Sequence, residues 1–212
     1  MADYKKPDYW QQRARNEGYP ARSVYKLKEI DEKFSLFKPA GKAGRILDIG
    51  AAPGSWSLYV LRKFAAGSKC FLAAADLCPL SREFDNKLFD SERFFFVQGD
   101  VTSADIRDAI FSKGPYNVII SDAAPGTTGS RMADSARSLE LAETVVGYAE
   151  SVLAPGGNLA LKIFQGSGID ALLKHMKTLF EKARSFKPQA CRGESVETYF
   201  IGLGKLAPKI NI

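Results

Sequence analysis

The alternation of short, continuously apolar segments with longer helical segments constrains the fold of this chain more than any other feature. The apolar runs cover residues 45–49, 70–75, 94–97, 116–121 and 158–164. The helical stretches cover residues 55–66, 103–111, 133–153 and 168–183. Strands that are apolar throughout are typical of a sheet covered on both faces. The alternation therefore predicts an α/β fold with a mostly parallel sheet and helices on both faces.

Two segments at the ends of the chain add to this pattern. Runs at 184–187 and 198–203 have no helix between them, which predicts a C-terminal antiparallel hairpin and a sheet of seven strands. Apolar side chains near helical spacing within 22–34, with Ser23 as a possible N-cap, predict a helix before the sheet. We expect residues 1–40 to form a basic helical extension packed on a core of residues 41–212, a single domain overall.

The positive charge of the chain lies at its two ends. The net charge is +6, yet residues 1–45 hold 11 basic and 6 acidic side chains, residues 182–212 hold 6 and 2, and the middle is acidic. This distribution fits either a face that binds a polyanion or an ordinary solvated surface.

Several classes of protein are disfavoured. No apolar stretch approaches the roughly 18 residues of a membrane span, and the first residues do not resemble a signal peptide. Three cysteines without a CxxC motif fit a reducing compartment and argue against a disulfide scaffold or a zinc site. With His175 the only histidine, Ser-His-Asp and Cys-His chemistry is disfavoured. We expect a cytoplasmic protein without a metal.

The sharpest local motif is ILDIGAAPGSWSLYV at residues 46–60, in which a buried strand leads through a glycine-containing turn into a helix. Gly50 and Gly54 would let the backbone approach a ligand, although an ordinary tight turn is the alternative. The motif is neither GxGxxG nor a phosphate-binding P-loop. Asp48, just before the turn, suits a cationic ligand such as an amino group or a sulfonium.

Carboxylates end four consecutive strands: Asp48, Asp76, Asp100 and Asp122. One such aspartate would be a routine turn residue. We expect Asp76 to accept hydrogen bonds from ribose hydroxyls and Asp100 to meet a base, because ligands of α/β sheets bind at the carboxyl ends of the strands. Four carboxylates indicate an adenosyl-type ligand without phosphates.

Lys162 lies within the apolar run of the fifth strand. A lysine in a central strand is costly unless it is paired or functional, and Asp122 on the adjacent strand is its obvious partner. A purely structural ion pair is the alternative.

Together these segments resemble the FtsJ-like (RrmJ-type) family of S-adenosylmethionine-dependent RNA 2′-O-ribose methyltransferases. The resemblance runs in family order through residues 21–31, 36–41, 47–57, 121–129, 153–157, 161–166 and 195–199. It implies a Rossmann-like class I methyltransferase fold. It also implies S-adenosylmethionine as the cofactor, S-adenosylhomocysteine as the product, and no metal.

The resemblance assigns a catalytic tetrad to Lys26, Asp122, Lys162 and Glu197. It assigns cofactor contacts to Gly54, Trp56, Asp76, Asp100 and Asp122. The residues themselves had indicated all of these except Glu197 and Trp56, while Lys26 stood out only as part of a basic helical face. By analogy Lys162 is the base or the hydroxyl-orienting group, Lys26 holds the target nucleotide, and Glu197 positions the lysines.

The basic ends would then contact RNA through Arg13, Arg15, Arg22, Lys28, Lys187 and Arg192. One departure from the family pattern is KPQACR at 187–192, where Ala190 and Cys191 replace small hydroxyl residues. The implied substrate is a uridine in large-subunit (23S-type) rRNA, as naked RNA or within the large ribosomal subunit. A tRNA anticodon-loop methyltransferase and a non-catalytic RNA-binding assembly factor are the alternatives. A monomer that does not bind membranes is expected.

Overall fold

The structure is a computed structural model that describes residues 9–65, 68–191 and 195–208. The strands are β1 (Arg45–Ile49), β2 (Phe71–Asp76), β3 (Phe94–Gln98), β4 (Tyr116–Ser121), β5 (Leu153–Phe164), β6 (Phe180–Phe186) and β7 (Glu197–Lys205). The helices are α1 (Tyr9–Asn16), α2 (Val24–Phe34), α3 (Ser55–Lys63), α4 (Ala104–Phe111), α5 (Arg131–Val152) and α6 (Ile169–Leu179).

The seven strands form one sheet in the order β3-β2-β1-β4-β5-β7-β6. Strands β1 to β5 pair in parallel, and β7 is antiparallel to both β5 and β6. The predicted α/β fold, its seven strands and its C-terminal hairpin are confirmed. The strand order reverses between β1 and β4, and in open α/β sheets the ligand crevice lies at such a switch point.

Both faces of the sheet are covered, as the continuously apolar strands indicate. Ile46 packs into one hydrophobic layer with side chains of α2 and α3, such as Leu27. The next residue, Leu47, packs into the opposite layer with side chains of α5, such as Val145. Successive residues of a strand point to opposite faces, so a strand buried on both sides must be apolar throughout. No helix within the described ranges is long and apolar enough to cross a membrane.

The N-terminal helix α2 is fixed to the sheet by apolar packing and by a polar tie. Leu27 and Ile30 are fully buried in the same layer as Ile46. The side-chain amide of Asn158 on β5 donates to the carbonyl of Leu36, just beyond α2, at 2.9 Å. Ser23 forms no side-chain capping bond, although α2 begins at the next residue. The division at residue 40 stays a prediction.

The sequence-based prediction of a helix through residue 183 is wrong. Helix α6 ends at Leu179, and β6 begins at Phe180. The cause is tertiary packing, because the ring of Phe180 occupies the space beside Gly202 on β7. A Cβ atom at Gly202 would lie 2.7 Å from that ring. The apolar run at 158–164 is likewise only part of β5, which begins at Leu153.

Candidate active site

A cavity of about 430 Å³ lies at the carboxyl ends of the strands, at the switch point between β1 and β4. Most of its wall comes from the β1–α3 turn and from the segments at the ends of β2, β3 and β4. The residues before α2, one side chain of β5 and one side chain of α5 complete it. The lining residues are Ala21, Ser23, Ile49, Gly50, Ala52, Pro53, Asp76, Leu77, Gly99, Asp100, Val101, Asp122, Ala123, Ala124, Leu141 and Lys162.

The turn after β1 needs a glycine at its first position. Gly50 has φ +75°, and a Cβ atom there would lie 2.4 Å from the Cα atom of Ala123 after β4. The backbone of the β1–α3 turn and the backbone of the segment after β4 therefore pack closely at one side of the cavity.

Asp76 fastens two loops at the rim of the cavity. Its carboxylate accepts the backbone N–H of Ala52 at Oδ2 and that of Cys78 at Oδ1, both at 2.8 Å. A carboxylate has about four acceptor positions, so two such bonds leave capacity for ligand hydroxyls. Asp100 is held in a similar way by the N–H and hydroxyl of Thr102, both at 2.8 Å. These two bonds lower the pKa of Asp100, which favours its ionised form.

The charged and polar side chains of this cavity fit a ligand with an adenosyl group and a sulfonium. Three carboxylates, Asp76, Asp100 and Asp122, line the cavity together with Lys162. Carboxylates can accept hydrogen bonds from ribose hydroxyls and an amino group, and they attract a positive charge. Leu77 and Val101 add apolar surface for a base.

Three residues predicted to contact the cofactor lie outside the cavity wall. Asp48 is fully buried, with the Ser57 hydroxyl donating to its Oδ2 atom at 2.7 Å. Its Oδ1 atom has no partner within the described part of the chain, and burial raises the pKa of Asp48 to about 7. Gly54, at φ +109°, packs against the ring of Phe89.

The third of these residues, Trp56, links the N-terminal segment to the core. Its indole N–H donates to the carbonyl of Ser23 at 2.8 Å. Its ring lies 6.0 Å from the ring of Tyr199 on β7, and the side chain is 2% exposed. Trp56 thus holds Ser23, a residue of the cavity wall that precedes α2.

The four tetrad residues form two ion pairs. The Lys162 ammonium lies 3.1 Å from Asp122 Oδ1 and also donates to the Asp122 carbonyl. The Lys26 ammonium lies 2.8 Å from Glu197 Oε1. All four side chains are between 9% and 15% exposed, so both pairs are largely removed from water.

Strand register explains why Glu197 and Lys162 lie on the same face of the sheet. On the β5–β7 ladder Lys162 lies opposite Tyr199, and Phe164 lies opposite Glu197. Residues directly opposite, and residues two apart, share a face of the sheet. Lys162, Tyr199 and Glu197 therefore share one face. Since Tyr199 and Leu27 of α2 belong to the same hydrophobic layer, this is the face that α2 covers.

Tyr199 is a site residue that the sequence reasoning missed. Its hydroxyl donates to Asp122 Oδ1 at 2.7 Å, the same oxygen that pairs with Lys162. Burial and the nearby Asp122 carboxylate raise the pKa of Tyr199 well above its usual value, so it remains a neutral donor. The available signal was its position two residues beyond Glu197, on the same face of β7.

The predicted RNA contacts near α1 are engaged within the protein. Glu17 accepts the Arg13 guanidinium at 2.9 Å and the Lys28 ammonium at 2.7 Å. These partners lower the pKa of Glu17, Lys28 most strongly. Both cations also lie over the ring of Tyr25, at 4.9 and 5.0 Å. Arg15 reaches the carboxylate of Glu83 only at 4.0 Å.

The other predicted RNA contacts lie near the C-terminal hairpin. Arg22 donates to the carbonyl of Ala190 at 3.2 Å, and Lys187 donates to that of Ser195 at 2.8 Å. Arg192 lies outside the described residues. Glu29 of α2 accepts the N–H groups of residues 189 and 190 at 2.7 and 2.8 Å. Backbone bonds therefore attach this segment to α2 without the hydroxyls that the family pattern carries.

A mostly parallel sheet of this order, with carboxylates at its switch point and a lysine beside them, defines a class I methyltransferase. Within residues 9–65, 68–191 and 195–208 no group of three or more His, Cys, Asp or Glu side chains is arranged to hold a metal. The model of the FtsJ-like methyltransferase family matches residues 19–205. The chain belongs to this family.

Named relatives agree with this membership. The chain is 47% identical over 200 residues to ribosomal RNA large subunit methyltransferase E of Treponema denticola, covering 94% of this chain and 96% of the relative. It is 42% identical over 204 residues to the enzyme of the same name from Sorangium cellulosum, covering 96% and 91%. A crystal structure of a Plasmodium falciparum protein titled a putative ribosomal RNA methyltransferase superposes with a TM-score of 0.73 at 26% identity, covering 89% of this chain and 100% of that one.

Proposed function

We propose that this methyltransferase transfers the methyl group of S-adenosylmethionine to a ribose 2′-hydroxyl of RNA, a uridine of large-subunit rRNA. We further propose that it acts in the cytoplasm as a monomer. One observation carries the proposal: Lys162 and Asp122, an ion pair that lines the carboxylate-rich cavity, lie on the sheet face where α2 brings a second buried pair, Lys26 and Glu197. The names of the relatives support the choice of RNA.

The cofactor would be held by the carboxylates of the cavity, with Asp76 toward the ribose and Asp100 toward the base. When bound, S-adenosylmethionine supplies a methyl group on a sulfonium, and S-adenosylhomocysteine leaves after the transfer. The chain must therefore align a weakly acidic hydroxyl rather than activate the methyl group.

Lys162 is the group that binds the 2′-hydroxyl, and Asp122 with Tyr199 fixes its position. A neutral lysine would accept the hydroxyl proton, whereas an ammonium would donate to the hydroxyl oxygen. The pH dependence of the single-turnover rate separates these roles. A base gives a rate that rises with pH until the lysine is neutral. A donor gives a rate that falls over the same range.

Lys26 lies on α2, within the basic N-terminal segment, and Glu197 holds its ammonium in place. It would meet the phosphate or sugar of the target nucleotide. Lys26 would then fix the acceptor strand while Lys162 handles the reacting hydroxyl.

Tritiated methyl transfer tests this function. Purified large ribosomal subunits, deproteinised rRNA and bulk tRNA are each incubated with the chain and labelled cofactor, and the modified nucleotide is mapped. The proposal predicts label on one ribose of large-subunit rRNA. Label confined to tRNA would favour an anticodon-loop methyltransferase. Cofactor binding by calorimetry with no transfer to any RNA would favour a non-catalytic assembly factor.

A further inference from the structure

A second groove lies just past the end of β5, beginning three residues beyond Lys162. Its volume is about 410 Å³, and its wall comes from the first turns of α5 and the segment just after β5. The residues used below are Arg131, Met132, Ser135, Gln165 and Gly166.

The groove is held rigidly to the strand that carries Lys162. The Ser135 hydroxyl donates to the carbonyl of Gln165 at 3.0 Å, and Ser138 accepts the N–H of Phe164 at 3.0 Å. Gly166 allows this close contact, because a Cβ atom there would lie 2.6 Å from Ser135 Cβ. Gln165 follows Lys162 by three residues, about 10 Å along an extended strand. The groove is therefore placed to receive a neighbour of any group bound at Lys162.

The groove exposes three kinds of group that suit a nucleotide. Met132 is 84% exposed, an unusual position for a large apolar side chain. Within the described residues Arg131 has no ion-pair partner, so its charge is available to a phosphate. The exposed side chain of Gln165 offers an amide that can pair with a base edge.

We propose that this groove binds the RNA nucleotide adjacent to the methylated one. The base would lie against Met132 with the Gln165 amide at its edge, and a phosphate would meet Arg131. This inference rests on the proposed function, since an RNA ribose at Lys162 is what places a neighbouring nucleotide here. A purely apolar partner would leave the guanidinium and the amide without partners, which is unfavourable.

The first test is substitution of the exposed groove residues. Met132→Ala is expected to raise the Kd and KM for rRNA about fivefold, by loss of the surface beneath a base. Arg131→Ala should lower the salt slope of RNA binding by about 1. The cofactor Kd should stay within about twofold of the unmodified value, since neither residue lines the cofactor cavity. Leu206→Ala and Arg107→Ala, changes at exposed positions elsewhere, are the matched controls.

The second test locates the RNA directly. A benzophenone attached to Met132→Cys, in a Cys78→Ser background, should crosslink to the nucleotide next to the methylated ribose. The same probe at Leu206→Cys should not. Unchanged binding and KM in both groove variants, with no adduct from position 132, would overturn the inference and leave the proposed function intact.

Two other outcomes are equally decisive. If the variants lose methylation only on assembled subunits and not on deproteinised rRNA, the groove contacts a ribosomal protein and the inference is wrong. If the unmodified chain methylates no RNA, yet position 132 crosslinks to RNA and Met132→Ala weakens binding, the proposed function and the adjacency to a methylated ribose both fail, and the groove is an RNA-binding site only. No RNA binding by the unmodified chain would overturn both.

Discussion

The carboxylate wall of the cavity and the Lys26–Glu197 pair are assembled in different ways. Asp76 ends β2 and Asp100 follows the neighbouring parallel strand β3, and each accepts the backbone N–H of the residue two positions further along the chain. Lys26 and Glu197 come from opposite ends of the sequence and meet only because α2 packs on the face of β7. The wall proposed to hold the cofactor thus depends on neighbouring strand ends, whereas the proposed position of Lys26 beside Glu197 depends on tertiary docking. The two should respond differently to substitution.

Replacement of Lys162 should produce the largest effect, a loss of methyl-transfer rate without a matching loss of cofactor affinity. Lys162→Ala is expected to lower the single-turnover rate of methyl transfer by about 10²–10⁴-fold, because the hydroxyl loses its base or orienting group. The cofactor Kd, measured by calorimetry, should change less than about threefold, because the carboxylates proposed to hold the cofactor remain in place. Lys174→Ala, an exposed change on α6, is the control. Near-normal turnover of Lys162→Ala would show that another group does this work.

The carboxylate wall of the cavity should respond in the opposite way, with a loss of cofactor affinity and little change in rate. Asp76→Ala should weaken cofactor binding by about 10–100-fold, the usual effect of losing charge-assisted hydrogen bonds. The rate at saturating cofactor should stay within about threefold, since the lost interactions are the same in the ground state and the transition state. Titration of the rate against cofactor concentration measures both quantities, with Asp108→Ala as an exposed control. A lower saturating rate with unchanged affinity would contradict the assignment.

The link between the chain ends can be measured by a double-mutant cycle. Lys26→Met, Glu197→Gln and the double variant should give a coupling of about 1–3 kcal/mol in urea unfolding, because the pair is largely buried. The exposed pair Arg13–Glu17 is the internal comparison and should couple by about 0.3–0.5 kcal/mol. Equal coupling in the two pairs would remove the argument that tertiary docking builds the site.

The buried carboxyl group of Asp48 should make the stability of the protein depend on pH. Burial raises the pKa of Asp48 from 3.8 to about 7, so the folded state retains a proton that the unfolded state releases. Stability from this group therefore falls as pH rises from about 4 to 7 and is level above that range. Near pH 4 Asp48→Asn should be about 1–2 kcal/mol less stable than the unmodified chain, because its amide N–H lacks a partner. The unmodified chain then loses stability as pH rises, so the variant should overtake it by pH 8.

Urea unfolding of both proteins across this pH range gives the difference directly. Ser57→Ala serves as the companion variant, since it removes the hydroxyl that favours ionised Asp48 and should steepen the loss of stability with pH. A difference between Asp48→Asn and the unmodified chain that is constant with pH would show that Asp48 does not titrate in this range.

The smallest effect is expected at the basic N-terminal surface. Glu17→Gln releases Arg13 and Lys28 from their ion pairs and should raise RNA affinity about two- to fivefold at low salt. Filter binding across a salt series measures the change, and Glu143→Gln, an exposed change on α5, controls for net charge. Weaker RNA binding by Glu17→Gln would indicate that Glu17 arranges these cations for RNA rather than restraining them.

The sequence predicted what depends on local pattern. Continuous apolar runs identified β1 and β4, and the strand-end positions of Asp76 and Asp100 predicted their place in the cavity wall. The pairing of Lys162 with Asp122 also followed from adjacent strands. In each case a rule of sheet geometry connects sequence position to spatial position.

What the sequence could not supply depends on contacts between distant segments. The sequence pattern placed the end of α6 too late, because Phe180 packs against Gly202 on β7 and begins a strand. Pairing of Lys28 with Glu17 depends on how α2 lies against the segment that follows α1. The burial of Asp48 and Trp56 outside the cavity wall follows from packing that motif spacing does not encode.

An isotope-trapping experiment tests the central claim, that cofactor binding and methyl transfer depend on different residues. Each protein is loaded with methyl-tritiated cofactor, then mixed with large-subunit rRNA and excess unlabelled cofactor. The account predicts that the unmodified chain transfers its label to RNA. Lys162→Ala should keep bound label without transfer, and Asp76→Ala should lose label to the chase. Transfer by Lys162→Ala, or label retention by Asp76→Ala equal to that of the unmodified chain, would contradict it.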